Sequence, residues 1–322
     1  MFPPKQDVTI CFAHAAYQMK ARFDLRAAGV NNFQAWSYDE LQKRVGEADV
    51  VVVSGMWKNE LIPTAGKLKF IQSISSGMDQ YSREQLAARQ VRLASAAGVN
   101  ARAVAEHAIS LILAVARRLP EARDNQHRKM WRGMIGDLTQ REDELGGKTL
   151  LIVGMGRIGA HLAKLAKAFD MKVIGIRRDP GQGPNGADAI HGMAELVKLV
   201  PQADIVALTC ALTSETTGLM SAAAFAAMKP SAMFVNVARG KVADEAALIE
   251  TMKAGKIWAA ALDVTVEEPL PPASPLWAMP NVFVTPHTAG ETRAYEDNVI
   301  DILIENLDRL WKGEATLRNQ VL

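Results

Sequence analysis

The sequence predicts an α/β protein of two doubly wound domains, each built on a parallel sheet, and three observations predict it. The chain has 322 residues, and at about 150 residues per domain that length divides into two cores. Two series of short, strand-like apolar runs alternate with helix-like segments, as in parallel sheets covered on both faces. A glycine-rich turn joins strand to helix at the head of the second series. With 49% hydrophobic and 22% charged residues, the composition excludes disordered, collagenous and membrane-spanning classes. Lys and Arg number 37 against 35 Asp and Glu, a formal charge of +2, so neither nucleic acid nor an anionic membrane is an expected partner.

The N-terminus reads Phe2-Pro3-Pro4-Lys5-Gln6-Asp7, with prolines and charges where a signal peptide needs an apolar core, and no export signal is expected. The first series of strands comprises Val8 to Phe12, Val50 to Ser54, Phe70 to Ser75 and Val91 to Ala96. Asn100 to Arg118 follows with Val104, Ala108, Leu111, Ile112 and Val115 on a helical period, a long helix bridging the two series. Its apolar stretch, Ala103 to Ala116, contains Glu106 and His107 and falls short of the roughly 20 residues a bilayer requires, so it reads as a buried helix. From Glu121 to Glu144 the chain is polar, holds the single Trp131, and reads as an extended surface arm. Six strands form the second series: Thr149 to Val153, Lys172 to Ile176, Asp204 to Thr209, Met233 to Val237, Ala259 to Val264 and Val282 to Thr285. Glu291 to Lys312 then sets Val299, Ile302, Leu303, Asn306, Leu307 and Leu310 on nearly one face, a helix expected to return to the first domain. Cys11 and Cys210 lie in apolar runs without metal-ligand spacing; they exclude a disulfide framework, fit a reducing, cytoplasmic setting and leave no metal expected.

The turn Gly154-Met155-Gly156-Arg157-Ile158-Gly159 follows the run Leu150 to Val153 and opens the helix-forming stretch Ala160 to Phe169. In GxGxxG at this position the first glycine permits the tight turn and the second lets the backbone approach a pyrophosphate. The third brings the helix close to the sheet, with helix N–H groups facing the phosphates. A dinucleotide is the expected ligand. About 20 residues on, an NAD site carries an acidic residue for the ribose, whereas here Arg177-Arg178 follow Gly175-Ile176. Guanidinium groups suit a 2′-phosphate through charge-assisted hydrogen bonds, so NADP is expected, with NAD possible if Asp179 reaches the ribose instead.

Four further stretches carry a resemblance: Lys229-Pro230 through Asn236-Val237-Ala238-Arg239-Gly240, Ala261-Leu262-Asp263-Val264, Glu267-Glu268-Pro269-Leu270 and Thr285-Pro286-His287. Together with the glycine turn and in this order, they resemble the D-isomer-specific 2-hydroxyacid dehydrogenase family over nearly the whole chain, and glyoxylate and hydroxypyruvate reductases within it. The resemblance implies a Rossmann cofactor domain over residues 100–287. It implies a flavodoxin-like substrate domain over residues 1–99 and 288–322, with hydride transfer in a cleft that closes about two crossings near Asn100 and Ala289. It implies that Arg239, Glu268 and His287 are the catalytic trio. Arg239 would bind the carboxylate of a 2-oxo acid and polarise its ketone. His287 would give the proton, because imidazole exchanges protons near neutrality, and Glu268 would orient the ring. Glu268 is chosen over Glu267 because in the family pattern the acid precedes the proline.

By the same resemblance Ser76 and Gly77, at a strand end where backbone N–H groups can form an anion nest, would hold the substrate carboxylate, and Met56 or Trp57 would line its side-chain pocket. Thr209, Ala238, Asp263, Gly290 and Val104 would complete the cofactor contacts, Asp263 at the carboxamide. The remaining histidines, His14, His107, His127, His161 and His191, read as structural or surface residues. Thr265-Val266 departs from the family's usual Phe and Glu after Asp263-Val264. The chain stops soon after its last helix, so the form of phosphoglycerate dehydrogenase with a regulatory extension is not expected. Trp131 needs a surface to bury against, which together with the family's habit of pairing through cofactor domains gives an expected homodimer. Two rivals remain: an NAD-linked D-lactate-type dehydrogenase, and a non-catalytic dinucleotide-sensing protein of the corepressor kind.

Overall fold

Short valine-, isoleucine- and leucine-rich strands can be buried on both faces only in parallel sheets covered by helices, and the computed structural model contains two such sheets. It describes residues 2–27 and 29–322 and divides into two units, Met1–Asn100 with Thr292–Leu322, and Ala101–Glu291. In chain order the elements up to Asn100 are β1 (Thr9–Ala13), α1 (Met19–Asp24), β2 (Asn31–Ala35), α2 (Tyr38–Arg44), β3 (Val50–Val53), β4 (Phe70–Ser73), α3 (Arg83–Ala88) and β5 (Arg92–Ala94). From Ala101 they are α4 (Ala101–Ala116), α5 (Leu119–His127), β6 (Thr149–Val153), α6 (Arg157–Ala168), β7 (Lys172–Ile176), β8 (Ala189–His191), α7 (Leu196–Leu199) and β9 (Ile205–Leu208). The chain ends with α8 (Ala222–Ala226), β10 (Met233–Asn236), α9 (Glu245–Lys253), β11 (Ala259–Leu262), β12 (Val282–Val284) and α10 (Tyr295–Trp311).

The first unit has the sheet order β2-β1-β3-β4-β5, parallel throughout. All four valines of β3 are buried. β2 was not among the expected strands: Asn-Asn-Phe-Gln-Ala turns only Phe33 and Ala35 into the core, the mark of an edge strand rather than an apolar run. Ser37 and Ser82 accept N–H bonds from Glu40 and Gln85, capping α2 and α3. α10 belongs to this unit, its Val299, Leu303 and Leu307 sharing one core with Val8, Ile10 and Phe12. Its wholly buried Asn306 donates to Gln72 Oε1 at 2.9 Å and accepts from Arg318 N–H at 2.7 Å, which meets the need of a buried amide for partners.

The second unit has the parallel order β12-β11-β10-β9-β6-β7-β8. Seven strands stand where six were expected; the seventh, β8, is three half-buried residues at the edge beside β7. Sequence order reverses between β6 and β9, the switch point at which such sheets bind ligands beyond their carboxyl ends. One face carries α4 and α6, whose Ala105, Ala108, Ala163 and Ala166 lie in a common core. The other carries Phe225, Phe234 and Leu248. The stretch expected to be an extended arm begins instead as helix α5, started by Pro120 in its first turn and Glu121 beside it. Only the part beyond Arg128 is arm-like, with Trp131 98% exposed. The first unit rejoins the chain at Thr292 rather than 288, because Thr288 and Ala289 are hydrogen-bonded to Asp263 of the second. Among the described residues, no helix is long and apolar enough to cross a membrane.

Candidate active site

The glycine turn is forced into shape by its neighbours. Gly154 has φ +113°, and a Cβ there would stand 2.5 Å from Cys210 N; one on Gly159 would stand 2.4 Å from Gly154 O. Thr209 Oγ1 donates to Gly154 O at 2.8 Å, and Gly154 N donates to Ile176 O at 2.8 Å, which pins the turn to β9 and β7. Gly156, by contrast, faces open space, with no atom within 4 Å of a Cβ built on it. It is the N-cap of α6, so a phosphate drawn to that open face meets the positive end of a helix. The cradle therefore fits a dinucleotide. Within it Met155 is a core side chain, 1% exposed, contributing only backbone to the turn, while Arg157 is exposed and Ile158 half-buried.

A cavity of about 340 Å³ runs from this turn to Arg177, Arg178 and the Thr209–Thr216 loop. Arg177 donates to Gln182 Oε1 and to Gly183 O. Arg178 Nε donates to Glu215 Oε2 at 3.1 Å. Asp179 lines the same cavity: Oδ1 accepts from Gly181 N at 3.0 Å and Oδ2 from Gln182 Nε2 at 3.1 Å. Burial pushes the nearby Cys210 thiol up to about 11, so it is not a thiolate at neutral pH.

Three adjacent parallel strands, β10, β11 and β12, deliver the other candidates to one sheet edge. After β10, buried Asn236 accepts from Ala238 N at 3.0 Å and donates to Arg239 O at 3.1 Å, folding the turn that presents half-buried Arg239. Arg239 Nη1 donates to Ala238 O at 2.7 Å; Ala238 itself is 5% exposed. Gly240 is required by its neighbour, since a Cβ would lie 2.0 Å from the backbone of Thr265. Thr265 N donates to Glu268 Oε1 at 3.1 Å and Val266 N to Glu245 Oε2 at 2.8 Å, so the loop that departs from the family pattern holds Glu268 by its backbone.

After β12 comes His287, with a left-handed φ of +55°, a conformation that costs a non-glycine residue energy and persists only where surroundings impose it. Its N–H donates to Asp263 O at 2.8 Å and Thr285 O at 3.0 Å. Its Nδ1 lies 2.7 Å from Glu268 Oε2, and a carboxylate can only accept, so Nδ1 carries hydrogen and Nε2 is the nitrogen left for substrate. Asp263 is 2% exposed and accepts from Thr285 Oγ1 at 2.7 Å, Thr288 N at 3.0 Å and Ala289 N at 3.0 Å. Burial raises its carboxyl, but hydrogen bonds from His107, Thr285, Ala289 and Thr288 outweigh that and hold it below the usual carboxylate range. His107 Nε2 lies 2.9 Å from Thr285 Oγ1. Val104 is 5% exposed in the α4 core, and Gly290 is half-buried after Ala289. His107, Thr285, Asn236 and Glu245 were not expected here. The one signal for His107 was its place three residues after Val104 and four before Leu111, on the apolar face of α4.

In the first unit Ser76 is exposed and Gly77 half-buried just after β4. Ser54 Oγ donates to Ser75 Oγ at 2.7 Å and Ser75 Oγ to Gly77 O at 2.9 Å, fixing that turn. Trp57 is 2% exposed in the core with Nε1 on Asn59 Oδ1 at 3.2 Å, and Met56 is half-buried at the strand's end.

Comparison with known proteins gives a concordant result. The family described as D-isomer specific 2-hydroxyacid dehydrogenase, NAD binding domain, matches residues 109–289. A glyoxylate/hydroxypyruvate reductase B of Escherichia fergusonii is 40% identical over 257 residues, 79% of this chain and 78% of that protein. A D-3-phosphoglycerate dehydrogenase of Archaeoglobus fulgidus is 36% identical over 290 residues, 88% of this chain; the match spans about half, 53%, of that longer relative. Among solved structures, a D-isomer specific 2-hydroxyacid dehydrogenase family protein from Aeromonas salmonicida superposes with TM-score 0.85 at 29% identity, covering 98% of this chain and 99% of that one. The NADPH-dependent glyoxylate/hydroxypyruvate reductase of Sinorhizobium meliloti, in complex with NADP and malonate, superposes with TM-score 0.83 at 25% identity over 98% and 97%.

Proposed function

The chain belongs to the D-isomer specific 2-hydroxyacid dehydrogenase family, and from that premise we propose that it is an NADPH-preferring reductase of small 2-oxo acids, glyoxylate and hydroxypyruvate first among them. The observation that carries the proposal is the 2.7 Å pair of His287 Nδ1 and Glu268 Oε2, on the same sheet edge as Arg239. A non-catalytic sensor has no use for an oriented proton donor at the same strand ends as a cation. Reduced nicotinamide dinucleotide, held by the Gly154–Gly159 turn with Arg177 and Arg178, would supply the hydride that the carbonyl carbon needs. Arg239 attracts the carboxylate and stabilises charge growing on the carbonyl oxygen, which is where preorganised cations lower a barrier most. His287 gives the proton on Nε2 to that oxygen while Glu268 keeps the Nδ1 hydrogen and so the ring's orientation; the neutral ring is then reprotonated from solvent. Ser76 and Gly77 are the proposed carboxylate ligands from the first unit.

Cofactor choice rests on Arg177 and Arg178, which line the cavity beside the glycine turn and whose guanidinium groups suit a 2′-phosphate. Asp263 remains the proposed carboxamide partner through Oδ2, which takes the Ala289 N–H and has a second lone pair. A panel of 2-oxo acids assayed with each nicotinamide tests the reading: glyoxylate and hydroxypyruvate should consume NADPH at least tenfold more efficiently than NADH. Cofactor binding without turnover of any 2-oxo acid would make the protein a sensor, and a preference for NADH with pyruvate would make it a D-lactate-type dehydrogenase.

A further inference from the structure

We propose that His107 and Thr285 are positioning residues for the proton donor: through Asp263 they hold the 285–289 loop in the one shape that aims His287 at Glu268. The hydrogen bonds have a single consistent direction. The Asp263 carboxylate can only accept, so the Thr285 hydroxyl, 2.7 Å away, spends its one proton there. The Thr285 oxygen then presents lone pairs to His107 Nε2 at 2.9 Å, which must carry hydrogen. His107 Nε2 also lies 3.4 Å from Asp263 Oδ1, so it supports the same carboxylate whether through the hydroxyl or directly.

The consequence lies in what Asp263 holds. Four groups of the loop bond to this one residue: Thr285 Oγ1, Thr288 N and Ala289 N to its carboxylate, and His287 N to its carbonyl. They bracket the residue with φ +55°, and such a backbone survives only when several contacts impose it. His107 comes from α4, on the face of the sheet, so the loop is referenced to the packed core of Val104, Ala108 and Leu111 rather than to neighbouring loop atoms. Neither residue reaches the reacting atoms; each acts through Asp263.

This inference rests on the reductase reading for its kinetic readout alone. Four variants test it: Thr285→Val removes the hydroxyl at constant shape and Thr285→Ser keeps it; His107→Leu removes the donor and His107→Gln keeps an N–H donor. His107→Leu, on a partly exposed helix face, keeps the test available should Thr285→Val fail to fold. With glyoxylate and NADPH, the Val and Leu variants should lower kcat tenfold or more with KM within threefold, and the Ser and Gln variants should recover most of it. Long-range 1H–15N spectra of the protein alone should place hydrogen on His107 Nε2 and His287 Nδ1, and the His287 pattern should be lost in Thr285→Val. Unchanged kcat in Val and Leu, or Ser and Gln variants as impaired as they are, would overturn the proposal. If no 2-oxo acid is turned over, the reductase reading falls and the spectra alone decide: an unaltered His287 pattern in Thr285→Val overturns the network.

Discussion

At His287 a left-handed backbone and a carboxylate on Nδ1 are combined in one residue. Replacing it by Gln should leave the fold intact and lower kcat by about 10²–10⁴, the usual yield of a positioned acid. The neighbouring Glu268→Gln should lose less, because Thr265 N still orients the side chain; the ratio of the two kcat values measures what the carboxylate charge adds. Arg177→Asp should reduce kcat/KM for NADPH about 10- to 100-fold while sparing NADH, the scale of one lost charge-assisted hydrogen bond. Steady-state kinetics with both cofactors reads this out. The placement of Arg239, Glu268 and His287 beyond strands of one sheet was legible because each follows a strand within a short, ordered string of residues. Their supports were not. Asn236 looked like part of a string, and His107 is separated by 178 residues from the Thr285 it touches, a contact that only the folded sheet creates.

Among the elements, the glycine turn was readable in full, since its strand, its three glycines and its helix lie in consecutive residues. Its glycines nevertheless differ in what they tolerate. Gly156→Ala, with open space around it, should fold with a thermal midpoint near wild type and bind NADPH at least tenfold more weakly. Gly154→Ala would drive a methyl against the Cys210 backbone at φ +113° and should cost more than about 1–3 kcal/mol of stability, measured by denaturant unfolding. The strands β2 and β8 escaped notice for an opposite reason: of their residues only Phe33 and Ala35 are buried, and the apolar run that marks a central parallel strand is absent. Acid should weaken the second sheet. Burial raises the Asp204 carboxyl, but Lys229 Nζ at 2.7 Å and Thr149 N–H at 2.8 Å outweigh it and lower it below its ordinary value. A depressed folded-state value contributes stability above the unfolded carboxylate value, about 3.9, that is lost as pH falls through the folded one. The thermal midpoint should therefore drop below about pH 4, and Asp204→Asn should flatten that acid limb.

For the molecule as a whole, length and alternating pattern were enough for two α/β units, but the position of the second crossing was set by Asp263 holding Thr288 and Ala289, which no local pattern encodes. The arm beyond α5 bears Trp131 and Met134 fully exposed, 98% and 104%, beside a cavity of about 720 Å³. Apolar surface of this kind marks an interaction site, and we propose that a second copy of the chain covers it. Sedimentation should give a dimer for wild type and a monomer for Trp131→Asp with Met134→Asp; a monomeric wild type would refute that assignment. The central claim concerns chemistry, and one measurement bears on it most directly: transfer of deuterium from NADPH deuterated at its hydride position to glyoxylate, by wild type and by His287→Gln. Wild type should yield glycolate labelled at C2 and the variant should be at least a hundredfold slower with cofactor binding intact. Unlabelled product, or equal rates in the two proteins, would contradict the account.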